Sequence, residues 1–149
     1  MNFLLETDLL PQIETYILNA ITPTEKEMIL SDIELSSIAE MESYLSTRYD
    51  TGLIFTALPN PIPVPFVEYR NRLIVMYLVD IMVYHITARI IPKQVPEIRG
   101  IRYEAAINWL KMVSKGQLNP DLPVKQDETT GENTSLVSYN GFPKRSNNY

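Results

Sequence analysis

The sequence predicts an all-α fold: a small bundle of about four helices with a proline-rich protruding loop and an extended C-terminal arm. Three observations lead there. Apolar residues recur at three- and four-residue spacing in four separate segments, each bounded by residues that cap or break helices. Between the second and third segments, proline occupies every second position from Pro59 to Pro65, a pattern that no helix or central strand accommodates. After Gly116 the chain turns polar. The 149 residues therefore divide into a helical domain, residues 1–116, and a polar arm, residues 117–149, expected to stay disordered until it docks.

The first helix is expected from Thr7, a capping residue, with Asp8 and Pro11 in an early turn that accepts both. Leu9, Leu10, Ile13, Tyr16, Ile17 and Ala20 form its apolar side, and Ile21-Thr22-Pro23 breaks it. A second helix should start at Glu25, because Thr24 and Glu27 make a capping-box pair. Its stripe runs through Met28, Ile29, Ile33, Ile38, Met41, Tyr44, Leu45 and Tyr49. It is expected to stop at Asp50-Thr51-Gly52, with the glycine in the left-handed position that closes helices.

Residues 53–66 follow other rules. Each proline of Pro59-Asn60-Pro61-Ile62-Pro63-Val64-Pro65 removes an amide donor and drives its predecessor into extended backbone. The result should be a stiff arm. Seven rigid residues exceed what a helix–helix connection needs, which favours a contact loop over a linker lying on the domain's own surface.

The third helix should span residues 68–89. From residue 73 to 84 it is apolar almost all round, the mark of a helix enclosed by partners. Asp80 interrupts that run. A buried carboxylate without a partner costs on the order of 3–5 kcal/mol, so Asp80 is expected in a structural clamp with Arg48 and Arg102, each part of an Arg-Tyr pair on another predicted helix. The clamp is preferred to a catalytic Asp80. A fourth helix should cover residues 97–115, with Pro96 and Glu97 at its start, Lys111 and Lys115 at its negative end, and Gly116 after it. Ile98, Ile101, Ala105, Trp109 and Met112 form its expected stripe, with Ala106, Leu110 and Val113 beside them. Trp109 is read as core. Beyond it, residues 125–135 are almost devoid of apolar side chains. Leu136, Val137, Tyr139, Phe142 and Tyr149 then return as isolated anchors around the turn dipeptide Asn140-Gly141. A spacer followed by anchors suits a docking arm.

Composition excludes several functions. With no cysteine and one histidine, His85, there is no disulfide scaffold, thiolate nucleophile or sulfur-ligated zinc site, and a histidine triad is disfavoured. The glycines are too scattered for a phosphate loop, and neither GxSxG nor HExxH occurs. Acidic pairs such as Glu25/Glu27 sit two residues apart and face different sides of a helix. The reading is therefore no enzyme and no cofactor. A net charge of −5 disfavours a free nucleic-acid binder. The N-terminus has no basic leader pattern, and the run at residues 73–84 falls short of the roughly 20 residues of a membrane span, so a cytosolic protein without membrane association is expected.

Charge is also segregated. Residues 1–66 carry a net −8, residues 67–116 a net +4, and the remainder −1. Such halves can attract within one subunit or between neighbours. Read between neighbours, Glu40 or Glu42 would meet Arg70 or Arg72 of the next subunit.

Taken in order, Ser43-Tyr44-Leu45-Ser46-Thr47-Arg48-Tyr49, the proline-rich loop, Leu78-Val79-Asp80-Ile81-Met82-Val83-Tyr84, and Arg102-Tyr103-Glu104-Ala105-Ala106-Ile107-Asn108-Trp109-Leu110-Lys111 with Gly116 resemble the phage Mu-type head–tail joining family of small helical neck proteins. The resemblance covers roughly residues 3–122. It implies a homo-oligomeric ring in the neck of a tailed phage or prophage virion, assembled in the host cytoplasm. The ring would sit between the portal protein and a tail-side stopper or tail protein, with DNA passing through unbound. It also implies contacts to the portal or to neighbours from the loop, through Pro59, Pro61, Ile62, Pro63, Val64 and Pro65, and from the C-terminal segment, through Tyr139, Phe142 and Tyr149. It brings no catalytic residues. The alternative is a helical binding or regulatory module that uses the loop or tail as a ligand.

Overall fold

A computed structural model describes residues 1–13 and 23–126. Five helices follow one another within them: α1 (Glu6–Leu9), α2 (Pro23–Leu45), α3 (Thr51–Ile54), α4 (Arg72–Ile90) and α5 (Glu97–Ser114). The described residues hold no strand, only an isolated antiparallel bridge between Tyr49 and Val124. The fold is all-α, as the periodicity predicts.

Helix α4 occupies the centre because it is apolar on nearly every side. Ile74, Val75, Leu78, Val79, Ile81, Met82, Val83 and Ile86 are all buried, and α5, α2 and α1 pack around them. The helix runs six residues past the apolar stretch at 73–84, and its 18-residue window of mean hydropathy 1.6 makes it long and apolar enough to cross a membrane by length and composition. Here it is the core helix. Leu30, Met41 and Leu45 cover it from α2, Ala106, Leu110 and Val113 from α5, and Phe3, Leu4 and Leu9 from the N-terminal segment. Tyr77 stacks on Trp109 with ring centroids 4.7 Å apart, which places Trp109 in the core.

Local chemistry moves several expected boundaries. Helix α1 starts at Glu6 with Leu5, not Thr7, as its cap position, because Asp8 turns back to accept from the Leu5 N–H at 2.9 Å. Residues 14–20 of that expected helix lie outside the described residues. Helix α2 ends at Leu45, and Asp50-Thr51-Gly52 begins α3 instead of closing α2. The Asp50 carboxylate accepts from the Leu53 N–H at 3.1 Å, a capping bond that starts a helical turn. Helix α4 starts at Arg72, not Glu68, because the Asn71 side chain caps it at Leu73 and Ile74. Helix α5 ends as predicted. Gly116 has φ +72°, and its N–H and that of Gln117 donate to Val113 and Met112 at 2.9 Å each, the paired bonds of a Schellman close.

The buried faces of α2 and α5 differ from the expected stripes. Helix α2 turns Leu30, Glu34, Ser37, Met41 and Leu45 inward and leaves Met28 outside. Helix α5 buries Ala106, Ile107, Trp109, Leu110 and Val113, while Ile98, Ile101 and Met112 are exposed. Past Gly116 the chain turns back on the domain: Leu122 is buried, and Asp50 and Lys125 exchange backbone bonds with Pro123 and Arg48. A domain boundary at residue 116 therefore falls inside packed structure.

Candidate functional site

Four polar ties hold the helices and the segments between them together, and most of the charged residues singled out in the sequence are in them. The first is Glu34. Helical spacing puts it among the inward residues of α2, where it is fully buried. Its carboxylate accepts from the backbone N–H groups of Asn2, Phe3 and Leu4 at 2.5, 3.1 and 2.6 Å. Those donors belong to no helix, so one carboxylate fixes the path of the N-terminal segment over the core.

The second tie centres on Arg70, 5% exposed. Its guanidinium reaches Asp8 at 2.7 Å, Glu68 at 2.7 and 2.8 Å, and the Phe3 carbonyl at 2.9 Å. Burial works against its charge, but the hydrogen bonds to Glu68 and Asp8 outweigh it and hold the guanidinium more firmly protonated than usual. The same hydrogen bond from Arg70 lowers Glu68 to about 2. Arg70 therefore does not face a neighbouring subunit; Asp8 of its own chain takes that role. Arg72 is exposed and bridges to Glu68 at 2.9 Å, one turn apart.

Asp80 and Arg102 form the third tie. Arg102 Nε donates to Asp80 Oδ1 at 2.7 Å, joining α4 to α5. Asp80 is 7% exposed, and burial raises its pKa against the lowering effect of Arg102. Arg48 does not take part. It points to the end of α5, donating to the Val113 carbonyl at 3.2 Å and to Asn119 at 2.9 Å. The Val113 carbonyl, in the last turn of α5, accepts from Arg48 as well as from the Gly116 N–H.

The fourth tie spans all three long helices. Glu40 on α2 accepts from the Tyr103 hydroxyl of α5 at 2.6 Å and lies 3.2 Å from His85 Nε2 of α4. That hydrogen bond, then burial, raises the Tyr103 pKa. Tyr84 stacks on Tyr103 at 4.4 Å and completes the cluster. Glu40 is thus held within its own subunit, and Glu42 beside it is half-buried. No group of three or more metal-ligating side chains occurs among the described residues.

The proline-rich segment lies on the outside: residues 59–65 are all exposed, and the Asn60–Pro61 and Val64–Pro65 peptide bonds are cis. Its base is fixed by the Leu58 N–H donating to the Asn2 carbonyl at 2.7 Å and by the Tyr69 hydroxyl donating to Ala57 at 3.3 Å. Pro59 and Ile62 form one wall of a groove of about 500 Å³, whose other walls are Met1, Leu4 and Leu30 with Lys26 and Glu27. The loop thus follows the subunit's own surface at Ile62 and leaves Val64 nearly free in solvent. Tyr139, Phe142 and Tyr149 lie outside the described residues.

A family model described as Bacteriophage Mu, Gp36 matches residues 4–138. The chain belongs to that family. It is accordingly a phage structural or morphogenesis protein, associated with the virion. The Gp36 match extends beyond residue 122, where the resemblance legible in the sequence stops, and takes in the whole polar stretch at 125–135. No curated protein and no solved structure matches the chain. In this Gp36-family protein the residues that sequence reasoning missed are Glu34, Asp8 and Glu68. Glu34 carries a readable signal, since its four-residue steps from Leu30 and to Ile38 put a carboxylate on the apolar side of α2. Glu68 carries one too, lying two and four residues before Arg70 and Arg72, whereas Asp8 carries none, because its pairing with Arg70 depends on how the N-terminal segment returns across the core.

Proposed function

We propose that this Gp36-family protein is a structural head–tail connector of a tailed phage or prophage, a neck adaptor that forms a ring between portal and tail around the passage for DNA. The observation that carries the reading is the family match over residues 4–138. The physical character of the chain supports it. Its polar groups tie helices together, which suits a rigid block, while a proline-rich loop with a fixed base lies outside. A neck ring joins unlike partners on its two sides, and the loop supplies a contact surface whose stiffness limits the entropy lost on docking. Net negative charge lets DNA pass without adhering. No enzymatic step is part of this reading.

Mixing the full-length chain with portal rings of the same phage and imaging the product by electron microscopy tests it. An additional annulus stacked on the portal is expected. Portal rings that stay bare at saturating concentrations would overturn the connector role and leave the family assignment intact.

A further inference from the structure

The groove of about 500 Å³ beside the proline-rich loop is lined by buried Leu4 and Leu30, by half-buried Met1, Leu5 and Leu58, and by exposed Ile62 from the loop. Of the two carboxylates in its walls, Glu6 is held by Lys26, whereas exposed Glu27 has no partner among the described residues. Residues 127–149, which lie outside the described residues, have a sequence that matches this groove. A stretch without large apolar side chains, 127–135, precedes Leu136, Val137, Tyr139 and Phe142, and the cations Lys144 and Arg145 follow. The distances also agree. The chain enters this segment beside Arg48, whose carbonyl accepts from the Lys125 N–H at 3.1 Å. Leu58 comes ten residues after Arg48, four of them in α3, so the two lie at most ~28 Å apart. Between Lys125 and Leu136 the chain spans up to ~36 Å. The anchors therefore reach the groove of their own subunit.

We infer that Leu136, Val137, Tyr139 and Phe142 dock in the groove of their own subunit, with Lys144 or Arg145 beside Glu27. Burial of the apolar side chains drives the contact. The exposed ion pair contributes direction more than energy. A segment joined to the groove by its own chain meets it at an effective concentration on the order of mM, which a second copy in dilute solution does not match. Docked there, the segment covers Pro59 and Ile62 and masks part of the loop in the free subunit. That consequence for assembly rests on the connector reading, because it matters only where the loop has a partner to meet. The docking itself does not depend on it.

The chain contains no cysteine, so a nitroxide on Ser138→Cys in the full-length protein is the only label and tests the contact by NMR. In the isotope-labelled chain the amides of Glu27, Ala57 and Leu58 are expected to lose most of their intensity. They should regain it when Tyr139→Ser and Phe142→Ser are added to the same nitroxide-bearing chain. Lys144→Glu with Arg145→Glu should restore part of it. Full intensity at the three amides with the anchors intact would overturn the docking. A loss that persists without Tyr139 and Phe142 would overturn it too, since random collision of the tether then explains the loss. Mixing isotope-labelled protein that carries no nitroxide with unlabelled, nitroxide-bearing Ser138→Cys protein separates the copies. No loss is expected there, and a loss equal to that within one chain would overturn the intramolecular contact in favour of a second copy. Portal imaging reads the connector role independently. Bare portals beside a docked segment would remove the consequence for assembly and leave the contact standing.

Discussion

Replacing Arg70 with methionine keeps an unbranched apolar stem and removes the guanidinium with its charge, and the surroundings of the guanidinium set the expected loss. Asp8, with its side chain 9% exposed, would retain only a cation at 3.8 Å, Arg72, in place of one at 2.7 Å. Removing one partner of a buried pair costs ~3–5 kcal/mol. The share of Glu68 is smaller. Its drop from 4.5 to about 2 would represent ~3 kcal/mol if felt in full, but its side chain is 30% exposed, and solvent screening reduces this to ~1 kcal/mol. Part of both terms overlaps, so a total of ~3–4 kcal/mol is expected. Urea denaturation followed by circular dichroism measures it. With a slope of ~1–3 kcal/mol per molar, the midpoint should fall by at least ~1 M. Arg72→Met, made at an exposed ion pair, should cost ~0–1 kcal/mol. The folded pKa of Glu68 lies below its unfolded value, so its contribution is complete above pH 4.5 and lost as pH falls toward about 2. The gap between wild type and Arg70→Met should therefore narrow through that window. A loss under ~1 kcal/mol at neutral pH, or an equal loss from Arg72→Met, would refute the argument and return Arg70 to the pool of surface cations.

Three further outcomes follow from the other ties. Glu34→Ala strands three N–H groups and should cost ~3 kcal/mol, with the amides of Phe3 and Leu4 losing most of their hydrogen-exchange protection. Gly116→Ala meets both a positive φ and Arg48 Nη1 at 2.7 Å from the new Cβ. It should lower stability by more than ~1 kcal/mol, and Arg48→Ala in the same chain should recover part of that. Asp80 has a folded pKa above its unfolded value, so its ionisation opposes folding and stability declines as pH rises from 3.8 through the folded pKa. Arg102→Met should deepen that decline and Asp80→Asn should remove it, as read from denaturation midpoints across a pH series.

The sequence shows where helices start and stop more clearly than which way they face. Gly116 and Pro96 bracket α5 because glycine can take the positive φ that closes a helix and proline, with its fixed φ and no N–H, suits a helix start. Its rotation is hidden, since Ile98, Ile101, Ala105 and Met112 satisfy helical spacing as well as Ala106, Leu110 and Val113 do. Periodicity finds both lines and cannot say which one meets α4. Asp80 shows the same division. Burial of a carboxylate demands a cation, and chemistry narrows the choice to Arg48 and Arg102. Only the packing of α5 on α4 selects Arg102, leaving Arg48 to cap the end of the same helix. The charge asymmetry was legible, but not the surface that uses it. Asp8 reaches Arg70 across 62 residues of chain, a contact with no local trace.

That contact changes what the asymmetry can do in assembly. Asp8, Glu34 and Glu40, three of the ten acidic residues in 1–66, are each neutralised or hydrogen-bonded inside the subunit. Arg70 and Arg102 are likewise engaged. What remains to act between molecules is exposed charge such as Asp32 on α2, and Lys111 and Lys115 at the end of α5. An interface built on such exposed charges has modest strength per contact and gains specificity from register and sign more than from energy. In the proposed ring, a platform that held several copies in line would make each weak contact intramolecular, so that the ring would close cooperatively. Rigidity of the block is a condition for that closure, because a small error in subunit shape accumulates around a ring. The four internal ties would serve that end by fixing the angles between the faces of the subunit.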